Sequence, residues 1–495
     1  MNTNPIIMVG VDAASIDLIR ANLARLPNFR RVLKDGAYHS LASWGDVASG
    51  SVWPSFAAGK PPGEHGIYHH IQWDPATMRL HRVTADWLSY RPFWLDLAES
   101  GAKVCVVDVP MTFPALGVNA VEVVSWASHD KLVPFACNRH DIERELRRRF
   151  SADPMGHEIP VAKSASSLKA IRNRLIDSAR TKAEAIRWLL RLKPWDLFIA
   201  IFGETHRGGH LLWAPKGDPA KSGPSEDLLA VYEAVDEGLG PILDEVKSMK
   251  AIFIIFSVHG MARESSRTGA VPFVMDRVNN LHHSQRSPTT AAPRQRSIMR
   301  FLRQAVPAPL QHAIGQAVPV GVRDWVVQRA TASGHDWSRT PGFALLADRA
   351  GYIRLNRQGR EAEGLLMPGS SEEQHYTAMI DTAFRELVDA GTGERIVADV
   401  LPRGALFSGT RDDYLPDVFV TWRETPSSDQ TRSDRLGLLP QESQTGRTGN
   451  HTADGFAVIV SPACGITGLP PLNSVTELAR WVTAALAPMT PHNGS

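Results

Sequence analysis

Ile6-Ile-Met-Val-Gly-Val-Asp12 is a six-residue apolar run that ends on a carboxylate. A short run with no polar alternation reads as a strand covered on both faces. A helical pattern follows from Ser15 to Leu33. Further runs of the same kind lie at Val104 to Val109, Leu197 to Phe202, Ala251 to Phe256, Val418 to Thr421 and Phe456 to Val460. Ser166 to Arg191 and Glu226 to Lys247 are long helical stretches between them. Strands alternating with helices predict a three-layer α/β/α fold around a mostly parallel sheet. Ligands of such sheets bind beyond the carboxyl ends of the strands. Asp12 stands at one of those ends.

The 495 residues carry 54 Lys plus Arg against 52 Asp plus Glu, a formal charge of +2. That balance argues against a polybasic nucleic-acid module and an acidic tail. Cys105, Cys137 and Cys464 are far apart and form no CxxC, so a disulfide framework or a cysteine-rich zinc site is not expected. Met1 to Asp12 has no basic n-region, and no later stretch reaches the length of a membrane span. The expected compartment is the cytoplasm. Residues 275–340 carry several prolines and Arg286, Arg294, Arg296, Arg300 and Arg303, then an amphipathic stretch from Val322 to Arg329. They read either as an inserted lid or as a surface insertion, leaving 1–274 and 341–490 as the catalytic domain. Pro426 to Asn450 is polar and reads as a loop.

Four segments carry chemistry. In Glu204-Thr-His206-Arg-Gly-Gly-His210 two histidines four apart share one helix face, as paired metal ligands do. They could equally be polar helix residues. Phe256-Ser-Val-His259-Gly-Met261 puts a histidine at a strand end. Gly449-Asn-His451-Thr-Ala-Asp-Gly455 precedes the last strand. In Ser49-Gly-Ser-Val-Trp53-Pro the approach to a helix offers free N–H groups and a favourable dipole to an alkoxide or a phosphate. Helix capping by Ser49 or Ser51 fits the same pattern. Glu204 suits a partner for an imidazole N–H, or equally a plain helix residue. Arg207 suits an anion contact or an acid partner. Lys60 reads as surface, and His65 as a support for the turn at Gly66. His69, His70 and His129 are further histidines that the sequence does not order.

Together these segments resemble the alkaline phosphatase superfamily, in its type I phosphodiesterase/nucleotide pyrophosphatase branch. Val9-Gly-Val-Asp12 resembles the family's opening strand. Ser49, Trp53 and Ala58-Gly-Lys-Pro-Pro-Gly-Glu-His-Gly-Ile67 resemble its nucleophile block, with Ala58 for the usual threonine. Val107-Asp-Val-Pro110 resembles VxxP, His206-Arg207 and His210-Leu-Leu-Trp213 resemble DRxxHxxW, and Ser257-Val-His259-Gly260 resembles SDHG. Asn356 to Gly364, Pro416 to Trp422 and Gly449-Asn-His451 resemble later blocks, in the family's order.

The resemblance implies a metal-dependent phosphoesterase, with a diester or pyrophosphate favoured over a monoester. It implies one or two divalent ions, zinc first and manganese second, about 4 Å apart when both bind. One ion would be held by His206, His210 and His451, the other by Asp12, Ser49 and His259. Ser49 would be the nucleophile and pass through a phosphoserine. The expected partner is a small phosphoester.

Two departures remove negative charge: His206 stands for the family's aspartate, and Val258 for the aspartate of SDHG. The second ion could bind with the substrate's phosphate, be dispensed with, or be supported by Glu204 or Asp236. A degenerate member that binds a metal or ligand without catalysis is the competing reading. The C/S-x-P-x-R of formylglycine sulfatases is missing from Ser49 to Trp53, and the insert typical of the independent phosphoglycerate mutases is not found.

Overall fold

Ile6–Val11, Leu197–Phe202 and Ile252–Ser257 are each six residues long and buried throughout. Such strands need a cover on both faces, and the chain supplies it. The computed structural model describes residues 4–129, 131–156, 165–213, 224–286, 335–424, 430–440, 447–462 and 469–486. Along the first strand, Ile7, Val9 and Val11 pack into one apolar cluster and Ile6 and Met8 into another. The first cluster lies under the helices Ala165–Leu190 and Glu226–Ser248. The second lies under Val52–Ala58, Phe93–Glu99 and Val475–Leu486. Each fully buried Ile, Leu or Phe contributes roughly 1.5–3 kcal/mol, so the sheet is a stiff platform.

The central sheet has eight strands, in the order Ala37–Ala42, Asp454–Val460, Ile252–Ser257, Ile6–Val11, Leu197–Phe202, Val104–Val107, Ala120–Val124 and Ala136–Cys137. The five from Ile252–Ser257 to Ala120–Val124 pair in parallel. Asp454–Val460 joins antiparallel on one side and Ala136–Cys137 on the other. The result is an α/β/α fold with a mixed sheet. The expected helix over Ser15 to Leu33 is two helices, Ile16–Ala21 and Pro27–Asp35. Ser225 starts the Glu226 helix by accepting a hydrogen bond from Leu228 N at 3.1 Å.

Val418–Trp422 is not in this sheet. It pairs with Gly351–Leu355 and Val397–Pro402 in a four-stranded antiparallel sheet completed by Gly342–Leu345. A third apolar cluster lies under that sheet, built partly from Val271, Val274, Met275 and Val278. The first residues of the expected 275–340 insert therefore belong to a helix, Val271–Arg286, that packs in this core. Residues 287–334, including Arg294, Arg296, Arg300, Arg303 and Val322 to Arg329, lie outside the described residues. Part of the expected 426–450 loop is ordered as strand: Thr431–Ser433 pairs with Val388–Asp389, and Gly449–Thr452 pairs with Gly260–Arg263. Among the described residues no helix is long and apolar enough to cross a membrane.

Candidate active site

Asp12 follows the Ile6–Val11 strand directly and is fully buried. Its backbone is held by Asp12 N to Phe202 O at 2.9 Å and by Thr205 Oγ1 donating to Asp12 O at 2.6 Å. Trp53 Nε1 donates to Asp12 Oδ1 at 3.0 Å. Trp53 sits on the helix that follows Ser49, so the tryptophan fixes the carboxylate relative to that serine. Asp12 Oδ2 lies 3.0 Å from His206 Nδ1 and 3.1 Å from His129 Nδ1. Asp12 Oδ1 lies 3.7 Å from His259 Nε2.

The helix Glu204–Leu212 starts one residue beyond the Leu197–Phe202 strand and presents His206 and His210 on one face. Their Nε2 atoms are 3.2 Å apart. Gly209 and Gly449 allow this helix to touch the Gly449–Thr452 strand. A Cβ on Gly449 would lie 2.3 Å from Gly209 O, and one on Gly209 would lie 2.8 Å from Met261 Cγ. At that contact His210 Nδ1 meets Gly449 O at 2.9 Å. This fixes the proton on Nδ1 and leaves the Nε2 lone pair for another partner. His451 pairs across the ribbon with Met261, two residues beyond His259. The His451 ring centroid is 4.8 Å from that of His206, 4.6 Å from His210 and 4.5 Å from His259.

The structure thus brings Asp12, His206, His210, His259 and His451 to one buried rim beyond the strand ends. Ligand atoms of His206, His259 and His451 lie within 4.8 Å of one another, and so do those of Asp12, His129 and His206. Among the described residues neither ring nitrogen of buried His451 has a hydrogen-bond partner, a costly arrangement unless something else binds there. Burial and the neighbouring His259, His210 and His206 push His451 well below the ordinary histidine range. Burial, Arg447 and His206 do the same to His210. Burial lowers His259 to about 4, against the opposing pull of Asp12. Burial alone would raise Asp12, but His206 and His129 outweigh it and hold the carboxyl well below its usual value. The imidazoles of His210, His259 and His451, held neutral beside one carboxylate, are donors that suit a divalent transition metal.

Ser49 is buried in a 3-10 turn before the Val52–Ala58 helix. Its Oγ donates to Asp348 Oδ2 at 3.1 Å, and Arg447 Nη1 donates to Asp348 Oδ1 at 2.9 Å. Neither serine caps the helix through its side chain: Ser51 Oγ donates to Ala48 O at 2.6 Å. Burial would raise Asp348, yet Arg447, His69 and His210 lower it far below an ordinary carboxylate. The next residue, Arg349, donates from Nη1 to His451 O at 2.7 Å.

Three residues considered for supporting roles face elsewhere. Glu204 accepts from Ser178 Oγ at 2.6 Å and feels Lys182, not an imidazole. Arg207 donates to Met155 O at 2.9 Å and Gly156 O at 3.1 Å, which ties down a loop. Asp236 accepts from Asn28 N and Phe29 N, at the start of the Pro27–Asp35 helix, and does not join the cluster. His65 bonds Ser55 Oγ and Ile67 N, as a support of the turn would. The Asp348–Arg447 pair and the bond from Trp53 to Asp12 are not legible in the sequence. Asp348 is 299 positions from Ser49, and no local pattern announces such a contact. The only signal for Trp53 is its place four residues after Ser49.

A mixed α/β/α sheet with a histidine-rich rim at its strand ends is the arrangement that the resemblance to the alkaline phosphatase superfamily implies. Within it, the chain belongs to the type I phosphodiesterase/nucleotide pyrophosphatase family, whose model matches residues 6–374. Among solved structures it is similar to phosphonoacetate hydrolase from Sinorhizobium meliloti in complex with phosphonoformate, at 14% identity and a TM-score of 0.52, covering 98% of this chain and 96% of that one. The phosphonoacetate complex of that enzyme matches equally. Murine ectonucleotide pyrophosphatase/phosphodiesterase 5 in complex with AMP matches at 13% identity and a TM-score of 0.48, over 100% and 98% of the two chains. No curated protein is significantly similar in sequence. By family, the chain is of the phosphoester-hydrolase type.

Proposed function

We propose that this protein hydrolyses a small phosphodiester or pyrophosphate, with monoesters as poorer substrates, in a divalent-metal-dependent reaction at Ser49. The observation that carries this reading is the buried convergence of Asp12, His206, His210, His259 and His451 beyond the strand ends. We assign His206, His210 and His451 to one cation, and Asp12, Ser49 and His259 to a second. Zinc suits this nitrogen-rich set best, with manganese as the alternative. Such ions supply Lewis-acid stabilisation of phosphoryl oxygens and lower the pKa of a serine hydroxyl.

Ser49 Oγ attacks phosphorus, the bond to the leaving oxygen breaks, and a phosphoserine forms; water then attacks the phosphoserine and frees Oγ. Asp348, which its neighbours hold far below the ordinary carboxylate range, does not keep the Ser49 proton, which passes to solvent as the serine attacks. It accepts the hydroxyl hydrogen bond and aims Oγ. Trp53 and Thr205 hold Asp12 in place. The buried position of free Cys105 and Cys137 fits the reducing cytoplasm that we infer.

The test is turnover of bis-p-nitrophenyl phosphate by the metal-loaded protein. Ser49→Ala should lose on the order of a thousandfold or more, while Ser51→Ala keeps its rate. Full activity in both variants overturns the serine assignment. An inert wild-type chain that still binds metal identifies a degenerate binding protein.

A further inference from the structure

The family's second metal position has a carboxylate where this chain has Val258, and Val258 is sealed in the apolar cluster with Trp53 and Phe256. Another imidazole reaches Asp12 from a different direction. His129 leaves the end of the Ala120–Val124 strand, a part of the chain outside every metal block identified above. It is buried, and its Nδ1 lies 3.1 Å from Asp12 Oδ2. Its ring stacks on His206 with centroids 3.6 Å apart, and its ligand atom falls within 4.8 Å of those of Asp12 and His206.

The backbone that carries His129 is firmly anchored. Asp108 Oδ1 accepts from Trp126 N at 2.7 Å, and Asp108 Oδ2 accepts from Ala127 N at 2.8 Å. Lys182 Nζ donates to Ala127 O and Ile201 O, both at 2.7 Å, and lies 3.0 Å from Asp108 Oδ2. Both side chains of that ion pair are fully buried. Asp108 and Ser125 adopt left-handed backbone conformations, φ +58° and +56°, which cost side-chain-bearing residues energy. A buried ion pair and two strained residues are a large outlay for an ordinary loop. They hold His129 at a fixed distance from Asp12, as a preorganised ligand requires.

We propose that His129 is a ligand of the cation held by Asp12, the donor that stands in for the carboxylate lost at Val258. This rests on the metal-site reading above. An imidazole restores the donor but not the charge, so the site discriminates toward nitrogen-loving ions such as zinc and against magnesium.

The experiment is competition titration of the full-length protein, freed of metal, with zinc and a chromophoric chelator. The wild-type chain takes up zinc, and His129→Ala weakens its more labile equivalent at least about tenfold. His129→Gln keeps the volume and a hydrogen bond to Asp12 and shows the same loss, while His129→Asp, which supplies a ligand oxygen, recovers affinity. Circular dichroism of the metal-free variants confirms that they are folded; if His129→Ala is not, the Gln and Asp variants decide alone. Zinc constants equal to wild type in His129→Gln overturn the His129 assignment. A wild-type chain that takes up no zinc overturns the metal reading beneath it.

Discussion

His259 is held neutral by burial, with a folded-state pKa of about 4 against an ordinary 6.5. In the unfolded chain the same imidazole takes up a proton as pH falls through 6.5. The native state does not follow until about pH 4. Stability is therefore complete above pH 6.5 and declines between 6.5 and 4. Each pH unit across that window costs roughly 1.4 kcal/mol, so the loss from this group is about 3 kcal/mol. Urea unfolding of metal-free protein at pH 7.5 and pH 4.5 should show most of it. His259→Gln should flatten the profile, and an unchanged slope would show that His259 is not held neutral. The residue scale was where the sequence was most readable. Asp12 and His259 follow strand ends, His206 and His210 share the helix that opens after another strand, and His451 precedes the last strand of the main sheet. Their convergence was implied by the family resemblance and not by those patterns alone. Trp53 could not be given its role, because its ring reaches Asp12 only after helix and sheet have packed.

At the scale of elements, two contacts assemble the rim. The helix Glu204–Leu212 must lie against the Gly449–Thr452 strand, and the loop after Ala120–Val124 must be pinned by Asp108 and Lys182. Gly449→Ala tests the first. Its Cβ would stand 2.3 Å from a backbone oxygen, which cannot rotate away, so helix and strand must separate. Overpacking of this kind costs about 1–3 kcal/mol. The variant should melt earlier, and its zinc affinity should fall because His210 moves from His451. Wild-type affinity in a folded Gly449→Ala protein would mean that the contact does not set the site. Neither element pair could be foreseen. The 426–450 stretch reads as loop because its polar residues give no strand alternation, yet Gly449–Thr452 pairs with Gly260–Arg263 in register.

For the whole molecule, the antiparallel sheet and its helices enter the chain between Arg263 and Gly449 and close over the serine. They carry Asp348 to Ser49 and Arg349 to His451. Within them, Arg360 joins Glu361 and Asp417, and Arg354 bonds Glu361 at 2.7 Å, which gives the 356–364 and 416–422 blocks a structural purpose. Those blocks are recognisable in the sequence, but their apolar run from Val418 to Thr421 reads there as a strand of the main sheet. A buried apolar run looks the same whether helices or a second layer cover it. The layered fold was legible from alternation alone; the way the inserted unit meets the serine was not, since it depends on contacts hundreds of residues apart.

The most direct measurement is anomalous diffraction at the zinc edge from crystals of metal-loaded protein. The account predicts density among Asp12, His206, His210, His259 and His451, with ligand nitrogens about 2.0–2.1 Å from an ion. Zinc found elsewhere on the molecule, with these side chains bonded only to one another, would contradict it.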